Sequence, residues 1–278
     1  MSPLKFEGKF GIRYSLLDIH YSIFYKKNMN EHWIYMLVNI GAISIPFLFS
    51  FHPRLRFDKT WNAFFPACAM VAAFFLIWDI WFTKMGVWGF NPRYLLGIDI
   101  VNLPMEEWLF FLRIPYACVY TYHCLKVLIK KDPLEKLGKP IAIGLAVVLL
   151  GLGIFTFGKW YTSSTFILTA FFLLFLVKIN FQYFGRFFLS YIVILPMFFL
   201  TNGILTGSGI EEQVVWYNNA ENLGLRMGTI PVEDSIYGML LLIMNVAGYE
   251  YLLEKKRKKS KEEEQQLNRI EPTIVSEN

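Results

Sequence analysis

The sequence predicts an all-α membrane protein, a polytopic bundle of about seven transmembrane helices. Several apolar stretches approach the roughly 20 residues that a helix needs to cross the hydrocarbon core of a bilayer. Charged residues make up 18% of the chain, whereas a soluble domain carries about 25%. Basic residues also concentrate in alternate loops, as they do in membrane proteins of fixed orientation. The helices are therefore expected to pack in lipid.

The apolar stretches set the bounds of the seven expected helices, which short polar segments separate. These helices cover residues 32–50, 60–82, 104–125, 140–157, 163–179, 187–203 and 231–252. Residues 254–278 are first basic and then acidic and rich in glutamine. Such a composition is typical of a disordered, solvated tail.

The basic residues predict the orientation of the bundle, because Lys and Arg are retained on the cytoplasmic side. We expect a multi-pass protein of the bacterial cytoplasmic membrane, with its C-terminus in the cytoplasm and the start of the first helix outside. The cytoplasmic segments then contain Arg54, Arg56, Lys59, Lys126, Lys130, Lys131, Lys136, Lys139, Lys178, Arg186 and the basic tail, and the opposite side contains only Lys84, Arg93, Lys159 and Arg226.

Residues 1–30 form an N-terminal extension that conflicts with this orientation, since its basic residues resist export. The extension lacks the apolar core of a cleavable signal peptide. Either the functional chain effectively begins near Met29, or residues 10–25 lie in the membrane interface as an amphipathic helix.

A weak internal duplication is the most informative feature of the sequence. The first copy contains segments 78–83, 87–91, Gly97 and 104–107, and the second contains 201–206, 215–219, Gly224 and 231–234, in the same order. In this alignment Asp79 matches Asn202, and Trp88 matches Trp216. The expected domains are a three-helix repeat at 31–126, a connector helix with its loops at 127–160 and a second three-helix repeat at 161–253. Since the connector adds one helix, the repeats run parallel and place their matched residues at one membrane face, the non-cytoplasmic one.

Two acidic pairs open corresponding helices of the two copies. Glu106 and Glu107 follow Pro104, and Glu233 and Asp234 follow Pro231. Proline and acids are also common in the first turn of any helix, where they stabilise its start. Carboxyl groups within a membrane are costly, however, and usually functional. Adjacent carboxyl groups in a dry site cannot both ionise cheaply, so one can act as acid and another as base. These four residues are the expected catalytic groups, with the acid and base roles left open.

Other polar and aromatic residues near the acidic pairs are candidates for supporting roles. Interfacial position, turn chemistry and an aromatic belt would also explain most of them. Aromatic rings can stabilise a carbocation, however, and an intramembrane arginine either pairs with a carboxylate or faces a polar cavity. The supporting set is Asp79, Asn202, Trp88, Trp216, Phe90, Asn91, Asn102 and Arg113.

Missing motifs exclude several classes of function. The chain has no dinucleotide-binding glycine motif, no phosphate-binding P-loop and no zinc-protease or serine-hydrolase motif. Its three cysteines form no metal-ligand pattern. We expect no metal, and no nucleic-acid partner, because the basic residues cluster at helix ends on one side of the membrane.

The segment from Trp78 to Pro92, followed by residues 102–111, closely resembles the small integral-membrane type of lycopene beta-cyclase. In that family two short membrane polypeptides act together or are fused, and this chain is similar to the fused form. The resemblance covers about residues 32–252. The pairs Glu106-Glu107 and Glu233-Asp234, each after a proline, match the family's motif in each half.

The resemblance implies a fold similar to intramembrane prenyltransferases and a redox-neutral cyclisation of lycopene to gamma- and beta-carotene. Such an isomerisation requires no cofactor, and no flavin is expected. The substrate would be a carotenoid that enters from the membrane lipid, and association with other carotenoid-pathway enzymes is a further expectation. The sequence leaves open whether one or both ends of the substrate are cyclised.

Two other functions fit parts of the sequence. An intramembrane prenyltransferase would need clustered aspartates to hold magnesium and a diphosphate, which Asp99, Asn102 and Glu106 imitate poorly. A proton-coupled transporter would also use parallel repeats and buried carboxyl groups. Its helices should break near the middle of the bilayer, whereas these acids begin helices near one face.

Overall fold

The structure is a computed structural model that describes residues 6–7, 13–14 and 31–275. Phe6–Glu7 (β1) and Arg13–Tyr14 (β2) form a short antiparallel pair. The interfacial helix considered for residues 10–25 therefore lies outside the described residues, except at β2.

Seven α-helices of the described chain form the bundle, which confirms the predicted fold class. They are α1 (Ile34–Phe49), α2 (Trp61–Met85), α3 (Met105–Leu128), α4 (Glu135–Phe155), α5 (Trp160–Lys178), α6 (Phe184–Leu205) and α7 (Val232–Val275). By length and composition, five of them (α2, α4, α5, α6 and α7) are apolar enough to cross a membrane, and α1 is a shorter apolar helix. The protein is therefore a membrane protein.

The tail differs from its prediction, because α7 continues through Val275 instead of ending in a disordered segment. Neither glycine nor proline occurs between Gly248 and Pro272, and the composition is dominated by the helix formers Lys, Glu, Gln and Arg. Lys259 and Glu263 pair across one helical turn at 3.6 Å, which adds support to the exposed helix. Helix propensity outweighs the low hydrophobicity on which the prediction of disorder rested.

Three short strand pairs lie between the helices at the end of the bundle where α3 and α7 begin. Asp99–Ile100 (β4) pairs with Leu103–Pro104 (β5), and Arg226–Met227 (β7) pairs with Ile230–Pro231 (β8). The third pair joins the two copies: Trp88–Phe90 (β3) runs antiparallel to Val215–Tyr217 (β6). An alignment of the two copies that matches Pro104 with Pro231 also matches β4 with β7.

The pairing of β3 with β6 corrects the predicted alignment by one residue. Two reciprocal hydrogen bonds flank the pair, from Asn91 N to Val214 O at 2.8 Å and from Asn218 N to Val87 O at 2.9 Å. With the Pro104–Pro231 offset, residue 87 therefore matches 214, residue 89 matches 216 and residue 90 matches 217. The expected match between Trp88 and Trp216 is wrong. The two tryptophans lie in similar local sequences, and aligning them with each other shifts this segment by one residue.

Helix α2 of the first copy packs against α7 of the second, so the copies interlock. Helix α4, which lies between the copies in sequence, packs against α5 and α6. At its contact with α6 the backbones come very close: a Cβ atom on Gly138 would lie 2.3 Å from the backbone nitrogen of Gly185. No side chain fits there, so glycine is required for this helix approach.

We expect Gly138→Ala to destabilise the bundle by about 1–3 kcal/mol, the usual cost of overpacking, because backbone atoms of α6 would have to move. The matched control is Gly144→Ala on the same helix, where no atom lies within 4 Å of the added Cβ. Thermal unfolding in detergent should show a lower midpoint for Gly138→Ala only. Equal midpoints for the two variants would contradict the close contact.

Candidate active site

A large cavity lies inside the bundle, below the β3–β6 pair. Its empty volume is about 1160 Å³, including its open side. Most of the wall is apolar, with Ala42, Ile114, Ile194 and Leu241 from four different helices. Its carboxyl, amide and hydroxyl groups come chiefly from the first turns and last turns of the helices near the loops. The cavity therefore has one polar end and one apolar body.

Glu107 lies at the polar end, in the first turn of α3. The hydroxyl of Tyr35, on α1, donates a hydrogen bond to Glu107 Oε2. Within the described chain, Glu107 Oε1 has no hydrogen-bond partner, and the residue is 8% exposed. One carboxyl oxygen is thus held by the protein, and the other is free to act on a bound molecule.

Asp234 lies in the first turn of α7 and lines the same cavity. Three side chains donate hydrogen bonds to it: Tyr161 Oη to Oδ1 at 2.5 Å, and both Tyr217 Oη and Asn202 Nδ2 to Oδ2 at 2.9 Å. Burial, with the neighbouring Asp234 and Glu107 carboxylates, raises the pKa of Tyr217 well above its ordinary value. The Tyr217 hydroxyl therefore keeps its proton and acts as a donor to Asp234.

Asp79 is the third carboxyl group on the cavity wall. Its Oδ1 accepts hydrogen bonds from Trp88 Nε1 and, at 3.4 Å, from Thr83 Oγ1. Its Oδ2 is buried and has no hydrogen-bond partner. A buried carboxylate oxygen without a partner is costly. The wall of the cavity around Asp79 therefore has fewer hydrogen-bond donors than the wall around Asp234.

The remaining two predicted acids, Glu106 and Glu233, do not line the cavity. Each is fully buried and uses Oε1 to accept a backbone N–H from the preceding loop, from Leu96 and Leu223 respectively, at 2.7 Å in both cases. Thr162 Oγ1 also donates to Glu233, at 2.6 Å. These two acids fasten the loops to the starts of α3 and α7.

The predicted supporting residues divide in the same way. Asp79, Trp88, Phe90 and Asn202 line the cavity. The other four do not, and each has a different environment. Asn91 donates to Glu212 at 2.8 Å, Asn102 donates to the Ile80 carbonyl at 3.0 Å, Arg113 contacts Met36 Sδ at 3.0 Å, and Trp216 is 43% exposed with its ring against Gly89. Among the described residues Arg113 has no carboxylate partner.

Four aromatic rings surround the polar end of the cavity. The Trp88 ring lies 5.1 Å from the Tyr161 ring and 6.1 Å from that of Tyr237, measured between ring centres. Tyr161 and Tyr217 stack at 5.8 Å. Electron-rich faces of this kind stabilise a cation in a water-poor site. The arrangement combines carboxyl groups that can exchange a proton with aromatic walls that can stabilise positive charge.

Comparison with known families identifies the protein class. The family model described as lycopene cyclase matches residues 32–125 and 158–252. Both matched segments contain an acidic pair, its preceding loop and the tyrosine that donates to it. The chain belongs to the lycopene cyclase family. Comparison with curated proteins and with solved structures gave no match, so the expected likeness to prenyltransferases stays a prediction.

This lycopene cyclase family member therefore belongs to a class of enzymes of carotenoid cyclisation, and it contains two copies of the family's unit in one chain. The two matched segments agree with the duplication seen in the sequence. No group of three or more His, Cys, Asp or Glu side chains that would suit a metal ion occurs within the described part of the chain.

The tyrosines of the lycopene cyclase site are the residues that sequence reasoning missed. Tyr35 and Tyr161 occupy the first turn of the first helix in each copy, and each donates to the second acid of its own copy. Extending the duplication upstream of residue 78 would have revealed them. Tyr217 was hidden by the one-residue error in the alignment.

We expect Trp88→Phe to lower cyclase activity about tenfold, because loss of its N–H leaves Asp79 with one weak donor and a lost hydrogen bond to a charged group costs about 1.5–3 kcal/mol. Trp216→Phe is the matched control, since that ring lies outside the cavity. It should keep near-wild-type activity. Both can be measured as carotenoid conversion at equal protein level. Equal losses in the two variants would contradict the assignment of Trp88 to the site.

Proposed function

We propose that this chain is a lycopene β-cyclase that closes the acyclic ends of lycopene into β-rings by acid–base chemistry without a cofactor. The observation that carries the proposal is the placement of Glu107 and Asp234, from equivalent helices of the two copies, on the wall of one aromatic-lined cavity. Tyr217 lines the same cavity as both carboxyl groups and donates a hydrogen bond to Asp234 Oδ2 at 2.9 Å. Two such groups can give and take a proton on the same bound end group.

The reaction needs one proton donor and one proton acceptor. A carboxylic acid protonates carbon two of the terminal double bond, which leaves a tertiary cation at carbon one. The electron pair of the double bond between carbons five and six attacks carbon one and closes a six-membered ring. A carboxylate then removes the proton from carbon six, and the electron pair left there forms the ring double bond with carbon five. The product is an isomer of the substrate, so no electrons enter or leave, and the chemistry requires neither a flavin nor a metal.

The cavity wall suits the cationic intermediate. Trp88, Tyr161, Tyr217 and Tyr237 place aromatic rings around the carboxyl groups. The apolar body of the cavity keeps water away from the cation, which water would otherwise capture. The tyrosine hydroxyls are turned to the carboxyl groups at Tyr35, Tyr161 and Tyr217, so that these three hydroxyls are occupied and do not attack the cation.

A carotenoid is far longer than the cavity, so part of it must remain in the membrane. Met197 lines the cavity and is also 50% exposed on the outside of α6. The contacts of α6 with α1 and α7 are sparse compared with those between the other packed helices. We propose that an end group enters beside α6 from the lipid while the rest of the polyene stays among the acyl chains. One end group occupies the site at a time.

The setting follows from the charge distribution of the sequence. We propose the bacterial cytoplasmic membrane, with the C-terminal end of α7 in the cytoplasm and the polar end of the cavity near the opposite face. Association with the enzymes that make lycopene belongs to the same proposal, because a water-insoluble substrate passes most easily between neighbouring membrane enzymes.

The test is pigment analysis of a lycopene-accumulating bacterial host that expresses the chain. Wild type should convert lycopene to gamma- and beta-carotene. Glu107→Gln and Asp234→Asn should each lower conversion by at least about 100-fold, the usual size of a general acid or base contribution. Purified enzyme in deuterium oxide should introduce a single deuterium per ring, at the carbon that is protonated first.

The control is Trp216→Phe, which alters a ring outside the cavity and should convert lycopene normally. Protein level and membrane insertion are checked for every variant. Unchanged lycopene in cells that contain correctly inserted wild-type protein would refute the proposed reaction. Incorporation of no deuterium would refute the acid–base mechanism.

A further inference from the structure

The two halves of the site are built alike but differ in their hydrogen-bond donors. Asp79 and Asn202 occupy matched places near the ends of α2 and α6, each four residues before a threonine. Thr83 Oγ1 donates to the Asp79 side chain, and Thr206 Oγ1 donates to the Asn202 backbone carbonyl. With the corrected alignment, Phe90 corresponds to Tyr217. The first half therefore has a carboxyl group and a hydrocarbon ring where the second half has an amide and a hydroxyl.

This difference favours the ionised form of Asp234. Asn202 Nδ2, Tyr217 Oη and Tyr161 Oη all donate to it, and together they occupy both of its oxygens. A carboxyl group that accepts several hydrogen bonds is stabilised as the carboxylate. In that form it lacks a proton to give and can only accept one.

The same difference favours a proton on the first half. Glu107 accepts only from Tyr35, and its neighbour in the position of Asn202 is the carboxyl group of Asp79. Asp79 has a buried oxygen without a hydrogen-bond partner. Two carboxyl groups in a site that excludes water hold at least one proton between them. No lysine or arginine forms an ion pair with either group in the described residues.

We infer that the first half of the site delivers the proton and the second half removes it, and that the Asp79–Asn202 difference sets this direction. Glu107 is the acid and Asp234 is the base, while Asp79, Asn202 and Tyr217 act as positioning residues. The inference rests on the proposed function and adds a direction to it. It follows that the position of the ring double bond is determined at Asp234.

The chemistry of the last step makes this direction measurable. After ring closure the cation is at carbon five, and it can lose a proton from carbon six, from carbon four or from the attached methyl group. The three losses give the β-ring, the ε-ring and a ring with an exocyclic double bond. In each case the electron pair of the broken C–H bond forms the double bond, and the proton goes to Asp234. The catalytic cycle closes when Asp234 releases that proton to water and the Glu107–Asp79 pair takes up another proton from water, so that solvent supplies the proton for each new ring.

The experiment compares matched variants of the two halves in the lycopene-accumulating host. For the second half these are Asp234→Glu, Asn202→Ala and Tyr217→Phe; for the first half they are Glu107→Asp, Asp79→Asn and Tyr35→Phe. Variants of the second half should increase the fraction of rings other than β by about tenfold, because the base is displaced relative to the three hydrogens. Variants of the first half should lower total cyclisation about tenfold and leave the ring type unchanged, because the acid acts before the choice is made.

The ring type is measured by chromatography and nuclear magnetic resonance of the extracted pigments, normalised to inserted protein. For the residues of the second half, a merely structural role would lower the yield without changing the ring type. If Asp234→Glu fails to accumulate, Tyr217→Phe, which removes a single hydroxyl oxygen, gives the same reading. Altered rings from the first half, or β-rings alone from all six variants, would overturn the direction. A wild type that forms no ring at all would instead refute the proposed function.

Discussion

Carboxyl groups inside a bundle that lipid surrounds are costly unless polar groups are brought to them, and this cost explains the architecture of the polar end. Glu106 and Glu233 each accept a backbone N–H on Oε1, which holds each loop against the start of its helix, while Oε2 of each is buried without a partner. Glu107 and Asp234, one position further along, accept hydrogen bonds from tyrosine hydroxyls of the neighbouring helices. The loops, the helix starts and the cavity are consequently held in one arrangement.

The different roles of the two adjacent acids follow from helix geometry. Successive residues of an α-helix point about 100° apart, so a pair such as Glu106-Glu107 must serve two different environments. One side chain points to the loop that precedes the helix, and the other points to the cavity. A motif of two acids therefore builds a site and its support at the same time, and the same solution appears in both copies.

Sequence reasoning was successful where a single physical property dominates. Hydropathy placed all seven helices, and the cost of intramembrane carboxyl groups directed attention to the acidic pairs. It did not separate Glu106 from Glu107, because the direction of a side chain depends on how the helices pack. Tyr35 and Tyr161 were not found in a chain with 15 tyrosines and 27 phenylalanines, since membrane position alone explains most such rings. The helical tail was missed because low hydrophobicity was weighed above helix propensity.

The contact between Gly89 and Trp216 has a consequence for assembly. These residues are equivalent in the two copies and also face each other across the β3–β6 pair, so they lie on the pseudo-two-fold axis that relates the copies. A Cβ atom on Gly89 would lie 2.4 Å from the Trp216 ring. If two first copies paired in this way, two glycines would meet at the axis and leave a hole. If two second copies paired, two indole rings would have to occupy the space of one. A first copy fits only against a second copy. The contact of Gly89 with Trp216 therefore favours one-to-one pairing of the two halves over self-association of either half.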